Sequence, residues 1–279
     1  MRKFDIEKEK FNHEGYFLLD IRVSEKVIAD IQRESNDLSQ TMIPEKVLEK
    51  NGVVNSIWDI HQLSKSLKQI VQDPFVLDLV EALLGGKVYI HQSKINFKQA
   101  LYGRDVKWHQ DFTFWHNLDG MPEPKALTMA IFLDDISEFN SPLFIIPKTH
   151  LATIESEITR NREESQHNHE KKNNVIPELT YELGYQSIRR EYDKNGIVSV
   201  KGKKGTILFF HSNVVHASSN NLSPLSRNIV FVTYNLCSNA LKEVENPRPK
   251  YIGNRSNEPL NRHEKTIFEI KSEQQEAMV

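Results

Sequence analysis

The chain has few of the features that would connect it with an oxidising compartment, a membrane or a nucleic acid. Cys237 is the only cysteine among 279 residues, so no internal disulfide can form, which suits a reducing cytoplasm. The longest apolar runs, such as 206–210, have the length of a strand, and the N-terminal residues lack the apolar segment of a secretory signal. A net charge of -2 without a basic stripe gives no electrostatic footprint for nucleic acid. We therefore expect a cytoplasmic protein with neither a membrane nor a nucleic acid as partner.

The N-terminal part of the chain, residues 1–86, is predicted to be mainly helical. A short apolar strand is predicted at 15–19, and Ser24 is a typical N-cap for the helix that follows it. Asp73-Pro74 begins a further helix, because proline is favoured at the first helical position, and Gly85-Gly86 ends that helix.

From residue 87 onward the apolar residues change from helical spacing to the alternation that is typical of strands. Short strands follow one another without regular helices between them, and clusters of Pro, Gly, Asn and Asp separate them. This pattern predicts a mainly β fold with flanking α, built on a double-stranded β-helix (jelly roll, cupin-like) core over 87–236 within a single domain, 1–279. The predicted strands are 87–97, 126–133, 143–146, 196–200, 205–210 and 228–234.

Residues 155–174 interrupt this pattern, because they are rich in Glu, Arg, Asn, His and Lys and almost without apolar residues. Such a segment cannot bury enough surface to hold one conformation, so we predict a mobile loop. The loop is either a solvated connection or a lid that closes over an active site.

His109 and Asp111 form the most informative local pattern, a His-x-Asp motif. Residues two apart in a strand point to the same side, so the two side chains can bind one metal ion if the motif is in a strand. A second imidazole is available about a hundred residues later, from either His211 or His216. His211 ends a predicted strand and can simply cap it, which gives His216 a modest preference.

Arg227 raises the significance of the motif, because it opens the apolar run 229–234 eleven residues after His216. A guanidinium on a buried strand requires an anionic partner, and a carboxylate of 2-oxoglutarate would supply one. Two imidazoles and one carboxylate are the ligands of the facial triad of non-haem iron(II), whose other face is open to co-substrate and oxygen. The residues therefore predict an Fe(II) oxygenase site that uses 2-oxoglutarate and O2.

The chain resembles the phytanoyl-CoA dioxygenase superfamily, and within it the ectoine hydroxylases and the free amino-acid hydroxylases of the proline type. The resemblance extends from about Tyr89 to Arg255. The stretches that carry it are HQSKIN at 91–96, WHQDF at 108–112, WHNLDGMP at 115–122, SPLFIIPKTH at 141–150, FFH at 209–211, HASSN at 216–220, Arg227 and NPRPKYI at 246–252.

This resemblance implies a role for each matching residue. It implies iron bound by His109, Asp111 and His216, with the distal carboxylate of 2-oxoglutarate bound by Arg227. Lys94 and Asn96 lie on the strand that, in relatives, lines the co-substrate pocket. Thr128 lies at the position of a family residue whose hydroxyl donates to the co-substrate. The positions at which relatives contact a small zwitterionic or cyclic substrate correspond to Gln92 and Trp115.

The chain departs from the ectoine hydroxylases beside these motifs, at Gln110, at Thr113-Phe114 and at Ile229. The metal and co-substrate residues are kept while their surroundings differ, which favours proline, a ring homologue or an aliphatic amino acid as substrate over ectoine. Because Asp111 is a carboxylate and not a small residue, hydroxylation is favoured over halogenation. We expect a small-molecule enzyme that is a monomer or a homodimer.

Two other classes of protein are compatible with the same residues. A zinc-dependent hydrolase also uses two histidines and a carboxylate, but it gives no reason for Arg227. A metal-binding jelly-roll protein without oxygenase activity would use the histidines for binding or packing alone.

Overall fold

Two antiparallel β-sheets pack against each other in the computed structural model, which describes residues 3–49, 51–152, 154 and 181–268. The strands are β1 Tyr16–Leu18, β2 Lys46–Leu48, β3 Val54–Trp58, β4 Val88–Lys98, β5 Val106–His109, β6 Ala126–Phe132, β7 Leu143–Ile146, β8 Val198–Val200, β9 Ile207–His211, β10 Val215–Ser218 and β11 Arg227–Leu236. The helices are α1 Asp5–Glu14, α2 Glu25–Gln40, α3 Ile60–Leu63, α4 Lys65–Val71, α5 Pro74–Leu84, α6 Asp111–Phe114 and α7 Tyr185–Asn195.

The larger sheet has seven strands in the order β1-β9-β6-β11-β4-β3-β2, and the smaller has the order β5-β10-β7-β8. Side chains such as Phe210, Ile229 and Phe231 on one face of the larger sheet pack against Ile145 and Val200 of the smaller sheet. This arrangement confirms the predicted jelly-roll core with flanking helices.

The other face of the larger sheet is covered by the N-terminal helices. Ile28 and Val76 of these helices pack with Val230 and Val232 of β11, and all four are fully buried. Because both faces of β11 are buried, most of its residues are apolar on both sides. The polar residues on the interior side include Arg227 and Thr233, whose partners are described with the site.

The helix that begins at Pro74 has the ends predicted for it. The Asp73 side chain accepts a hydrogen bond from the Phe75 backbone amide at 2.8 Å, and Gly85 ends the helix with a φ of 83°. None of the helices in the described ranges is long and apolar enough to span a membrane.

The N-terminal part also contributes strands to the larger sheet that the sequence did not predict. β2 and β3 form a hairpin that pairs with β4 through β3, in which Trp58 lies opposite Lys94. These strands have three and five residues, and their structure depends on the neighbouring β4 more than on local periodicity. The predicted mobile loop at 155–174 lies outside the described residues, and the division into a single domain stays a prediction.

The backbone conformation of Gly120, which follows the His-x-Asp motif, can be tested by substitution. Its φ is 81°, and a Cβ there would overlap the Lys242 carbonyl oxygen, whereas Gly85 has a φ of 83° with open space around it. We expect Gly85→Ala to lower the free energy of unfolding by about 1 kcal/mol, through backbone strain alone. Gly120→Ala should lower it by roughly 3 kcal/mol, since strain and overlap add. Urea denaturation of both variants measures the difference, and equal losses would contradict the prediction.

Candidate metal centre

The smaller sheet brings two histidines together. His109 is the last residue of β5 and His216 lies directly opposite it on β10, with ring centroids 4.2 Å apart. The Asp111 carboxylate lies beside both, with 3.5 Å between Asp111 Oδ1 and His109 Nε2 and 3.9 Å between Asp111 Oδ2 and His216 Nε2. One ligand atom from each residue lies within 4.8 Å of the other two.

The assumption that His109 and Asp111 share a strand is wrong. β5 ends at His109, and Asp111 is the first residue of the short helix α6. The next amide, that of Phe112, donates to the Ser212 carbonyl oxygen at 2.9 Å and does not continue the strand pairing. Gln110 between them is still extended, with φ -117° and ψ 126°. One extended residue is sufficient to turn both neighbouring side chains to the same side.

Both imidazoles are held in the tautomer that suits a metal ligand. His109 Nδ1 lies 2.7 Å from the Lys107 carbonyl oxygen, and His216 Nδ1 lies 3.0 Å from that of Val214. Because a carbonyl oxygen only accepts hydrogen bonds, each Nδ1 carries the proton and each Nε2 has a free lone pair. The donor set of two Nε2 atoms and one carboxylate therefore fits a divalent metal ion.

The electrostatics of the cluster favour the same protonation states. Burial by itself raises the pKa of Asp111, but the nearby His216, His109 and Lys94 outweigh it and lower this pKa to about 2. Burial, followed by repulsion from His109, lowers the pKa of His216 to about 4. At neutral pH the aspartate is therefore ionised and His216 is neutral, as metal binding requires.

His211, the alternative to His216, does not join this cluster. Its ring packs between Phe11 and His150, at centroid distances of 5.6 and 5.3 Å, and its Nδ1 accepts a hydrogen bond from the Asn213 amide at 3.0 Å. The strand that carries it, β9, belongs to the larger sheet, whereas His216 lies on the smaller sheet beside His109.

Arg227 lies in a second polar group, on the interior face of the larger sheet. Its Nε and Nη2 both donate to the Ser141 carbonyl oxygen, at 2.9 and 2.7 Å, and the side chain is 1% exposed. Lys98 lies opposite Arg227 in the β4–β11 register and donates to Ser141 Oγ at 2.7 Å and to Ser218 Oγ at 2.6 Å. Burial, followed by the Arg227 charge, lowers the pKa of Lys98 to about 6.

Two buried basic groups in directly opposed positions repel each other unless an anion lies between them. Burial lowers the pKa of Arg227 to about 9, and the negative charge of Asp134 offsets part of this lowering. The Asp134 carboxylate itself accepts a hydrogen bond from the Asn228 amide at 2.8 Å. Arg227 keeps its charge at neutral pH, and Lys98 beside it becomes charged when a bound anion raises its pKa, so the pair suits a carboxylate.

The other predicted co-substrate and substrate residues on β4 face the same interior. Lys94 Nζ lies 4.8 Å from the Trp58 ring centroid and 5.9 Å from that of Phe231. Gln92 Oε1 and Asn96 Oδ1 are buried and have no hydrogen-bond partner in the described part of the chain. Thr128 is also buried, and its hydroxyl lies 3.0 Å from that of Thr233 on β11.

Trp115 lies apart from these residues. It begins a π-helical turn, Trp115–Asp119, is 2% exposed and packs with Met121 and Ala126. Its ring meets His91 edge to face at 5.5 Å. The aromatic residue of this motif that contacts a histidine of the cluster is Phe114, whose ring centroid is 5.8 Å from that of His109.

Three residues to which the sequence assigned no role also lie around the cluster: Lys98, Trp58 and Arg248. Lys98 continues the interior-facing series after Asn96, so alternation along β4 was a signal for it. Trp58 gave no signal, because it reaches the site only through the pairing of β3 with β4. Arg248 donates from Nε and Nη2 to the buried Asp119 carboxylate at 2.8 and 2.5 Å.

Several proteins of known function have sequences similar to that of this chain. L-proline trans-4-hydroxylase of Streptomyces griseoviridis is 33% identical over 255 residues, which cover 91% of this chain and 93% of that protein. Ectoine dioxygenase of Sphingopyxis alaskensis is 31% identical, with 88% and 81% covered.

A solved structure agrees as well. The crystal structure of EctD from S. alaskensis with 2-oxoglutarate and 5-hydroxyectoine superimposes with a TM-score of 0.77 at 28% identity, covering 94% of this chain and 87% of that one. Another structure of that protein has bound Fe. These ligands match the predicted cofactors, and the prediction of a dioxygenase is confirmed by the relatives.

The family model for phytanoyl-CoA dioxygenase matches residues 11–229, a range that includes every strand from β1 to β10, the His-x-Asp motif and Arg227. The predicted resemblance is thereby confirmed, and the chain belongs to the phytanoyl-CoA dioxygenase family.

Proposed function

We propose that this chain is an iron(II)- and 2-oxoglutarate-dependent hydroxylase that acts on a C–H bond of a small free amino acid or a similar zwitterion. The observation that carries the proposal is the presence of two polar groups in one interior: the His109–Asp111–His216 cluster and the pair of Lys98 and Arg227. The first fits a metal ion, and the second fits a carboxylate.

In this proposal His109, Asp111 and His216 hold the iron. With 2-oxoglutarate and O2, the bound iron supplies the oxidising chemistry that hydroxylates the substrate and converts the co-substrate to succinate and carbon dioxide. The chain's own contribution is to keep both imidazoles unprotonated at Nε2 and to keep water away with the buried ring of Phe210, 5.0 Å from the ring of His216.

The same proposal assigns the distal carboxylate of 2-oxoglutarate to Arg227 and Lys98. Arg227 uses Nε and Nη2 for the Ser141 carbonyl, which fixes the plane of the guanidinium and leaves Nη1 for the ligand. Thr128, Asn96 and Lys94 lie on the same interior face as this pair, and they would complete the co-substrate pocket. A zinc hydrolase or a jelly-roll protein without oxygenase activity has no use for the Lys98–Arg227 pair.

The substrate is proposed to be proline, a ring homologue or an aliphatic amino acid, with ectoine as the alternative. L-proline and ectoine, named for two relatives, both carry a carboxylate and a basic nitrogen on a compact ring. Gln92 suits the nitrogen end of such a molecule, because its Oε1 accepts no hydrogen bond from the described part of the chain. Trp115 would act from behind His91 by shaping the pocket wall. We also propose that the enzyme works in the cytoplasm, as a monomer or a homodimer.

The substrate class can be tested by succinate release from the iron-loaded enzyme with 2-oxoglutarate and O2. We expect L-proline or another free amino acid to stimulate succinate release and to gain one oxygen atom, measured by mass spectrometry. Ectoine and an acyl-coenzyme A are the comparison substrates. Stimulation by the acyl-coenzyme A alone would contradict the proposal, and no 2-oxoglutarate turnover at all would favour a protein without oxygenase activity.

The metal ligands can be tested by substitution. We expect His109→Ala, Asp111→Ala and His216→Ala each to lose bound iron and all 2-oxoglutarate turnover, because the loss of one ligand destroys the three-ligand face. His211→Ala is the matched control, since it removes a buried imidazole outside the cluster. Metal content is measured after anaerobic loading. An inactive His211→Ala together with an active His216→Ala would show that the ligand assignment is wrong.

Lys98 gives a prediction about protons. Its pKa is about 6 in the free protein, and a bound carboxylate must raise this pKa because it stabilises the ammonium. Between pH 6 and the ordinary lysine range, co-substrate binding should therefore take up close to one proton, and below about pH 5 it should take up none at Lys98.

Calorimetry of 2-oxoglutarate binding at pH 7.5, in buffers of different ionisation enthalpy, measures this uptake. Lys98→Met should lower the uptake by most of one proton and weaken binding. The control Lys107→Met removes a lysine whose side chain is 60% exposed and should leave the uptake unchanged. Equal uptake in the wild type and Lys98→Met would contradict the prediction.

A further inference from the structure

Trp58 is the last residue of β3, and its side chain faces the interior of the jelly roll. It lies opposite Lys94 in the antiparallel register, and Lys94 in turn lies opposite Phe231 of β11. Directly opposed residues of antiparallel strands point to the same face of a sheet. Trp58, Lys94 and Phe231 therefore form one row on the wall that faces the metal cluster.

The indole nitrogen of Trp58 has no hydrogen-bond partner among the described residues. Nε1 is buried, and no residue in the described part of the chain accepts its hydrogen bond. An indole N–H is a donor only, and a buried donor without an acceptor is costly. In the same wall Gln92 Oε1 and Asn96 Oδ1 are also buried, and neither has a hydrogen-bond partner in the ranges that the structure describes. Orphaned donors and acceptors grouped on one wall indicate that a polar ligand supplies the missing partners.

Lys94 also lacks a directly paired carboxylate among the described residues. Its ammonium lies over the faces of Trp58 and Phe231, and within the described ranges it forms no ion pair with a carboxylate. The Asp111 carboxylate and the Arg248 guanidinium are near enough to influence its protonation. Contact with two ring faces holds the cation in position without neutralising it.

We infer that Trp58 is a specificity-determining residue: its ring face fixes the Lys94 ammonium, and its N–H donates to a carboxylate oxygen of the amino-acid substrate. This inference rests on the proposed function, because it requires an anionic organic substrate beside the metal. It assigns a residue to the carboxylate end of that substrate, whereas Gln92 suits the nitrogen end.

The position of Trp58 favours the substrate over the co-substrate as the acceptor. The proposed co-substrate pocket extends from the metal cluster towards Arg227 on β11 and Lys98 near the end of β4. β3 lies on the opposite side of β4 from β11. The indole is therefore separated by β4 from Arg227 and from the proposed site of the distal co-substrate carboxylate.

Two substitutions separate the two roles of the indole. Trp58→Phe keeps a ring face for Lys94 and removes the N–H, whereas Trp58→Leu removes both. The readouts are the KM for L-proline, the KM for 2-oxoglutarate, and the rate of succinate release without amino acid. L-prolinamide, which lacks the anionic carboxylate, is the probe for the site of the effect.

We expect Trp58→Phe to raise the KM for L-proline roughly 10- to 100-fold, the range for one hydrogen bond to a charged group. The KM for 2-oxoglutarate should stay within about twofold of the wild type, because the ring face that holds Lys94 is kept. The preference of the wild type for L-proline over L-prolinamide should shrink by a similar factor. Trp58→Leu should show a larger increase, and it should also raise the proportion of succinate released without hydroxylated product.

Several results would overturn the inference. An unchanged KM for L-proline in Trp58→Phe would show that the N–H does not contact the substrate. An equal increase in the KM for 2-oxoglutarate would move the contact to the co-substrate, and an equal loss for L-proline and L-prolinamide would indicate packing alone. If the wild type turns over 2-oxoglutarate but responds to no free amino acid or ectoine, the proposed substrate class fails and this inference fails with it.

Discussion

Burial of the larger sheet on both faces is the constraint on which the site depends. Helices cover one face and the smaller sheet covers the other, so each polar side chain on the interior face must find a partner away from water. Thr128 and Thr233 satisfy each other, and Arg227 is held by Ser141. Trp58 Nε1, Gln92 Oε1 and Asn96 Oδ1 are left without partners among the described residues. These three atoms lie on the wall that faces the metal cluster, where a polar ligand would supply their partners.

Much of the site could be predicted from the sequence because its residues lie in short motifs on regular strands. The His-x-Asp motif needed only one extended residue between its two side chains, so the metal pair came together even though Asp111 begins a helix and is not in β5. The family resemblance assigned roles to Gln92, Lys94 and Asn96, which alternate along β4 and share one face of the sheet. The same alternation extends to Lys98, which had no assigned role because the predicted strand ended one residue too early.

Other features of the site depend on pairing between strands that are far apart in the sequence. The alternation of residues within one strand does not indicate which strands pair. The choice between His211 and His216 is made by the sheet to which each strand belongs, since β10 pairs with β5 and β9 does not. The position of Trp58 depends on the edge hairpin of β2 and β3, and that of Trp115 depends on the π-helical turn that directs its ring towards His91. Short elements of this kind are stabilised by tertiary contacts, and their sequences carry little signal of their own.

The hydrogen bond from Lys98 to Ser218 Oγ joins the two sheets at a position two residues beyond His216 on β10. One end of this connection lies at the proposed co-substrate carboxylate, and the other lies on the strand that carries a proposed metal ligand. Linkage of this kind is reciprocal: whatever the co-substrate does to the metal affinity, the metal does to the co-substrate affinity by the same factor. The Lys98 amine thus connects the two proposed sites by a single hydrogen bond across the interior.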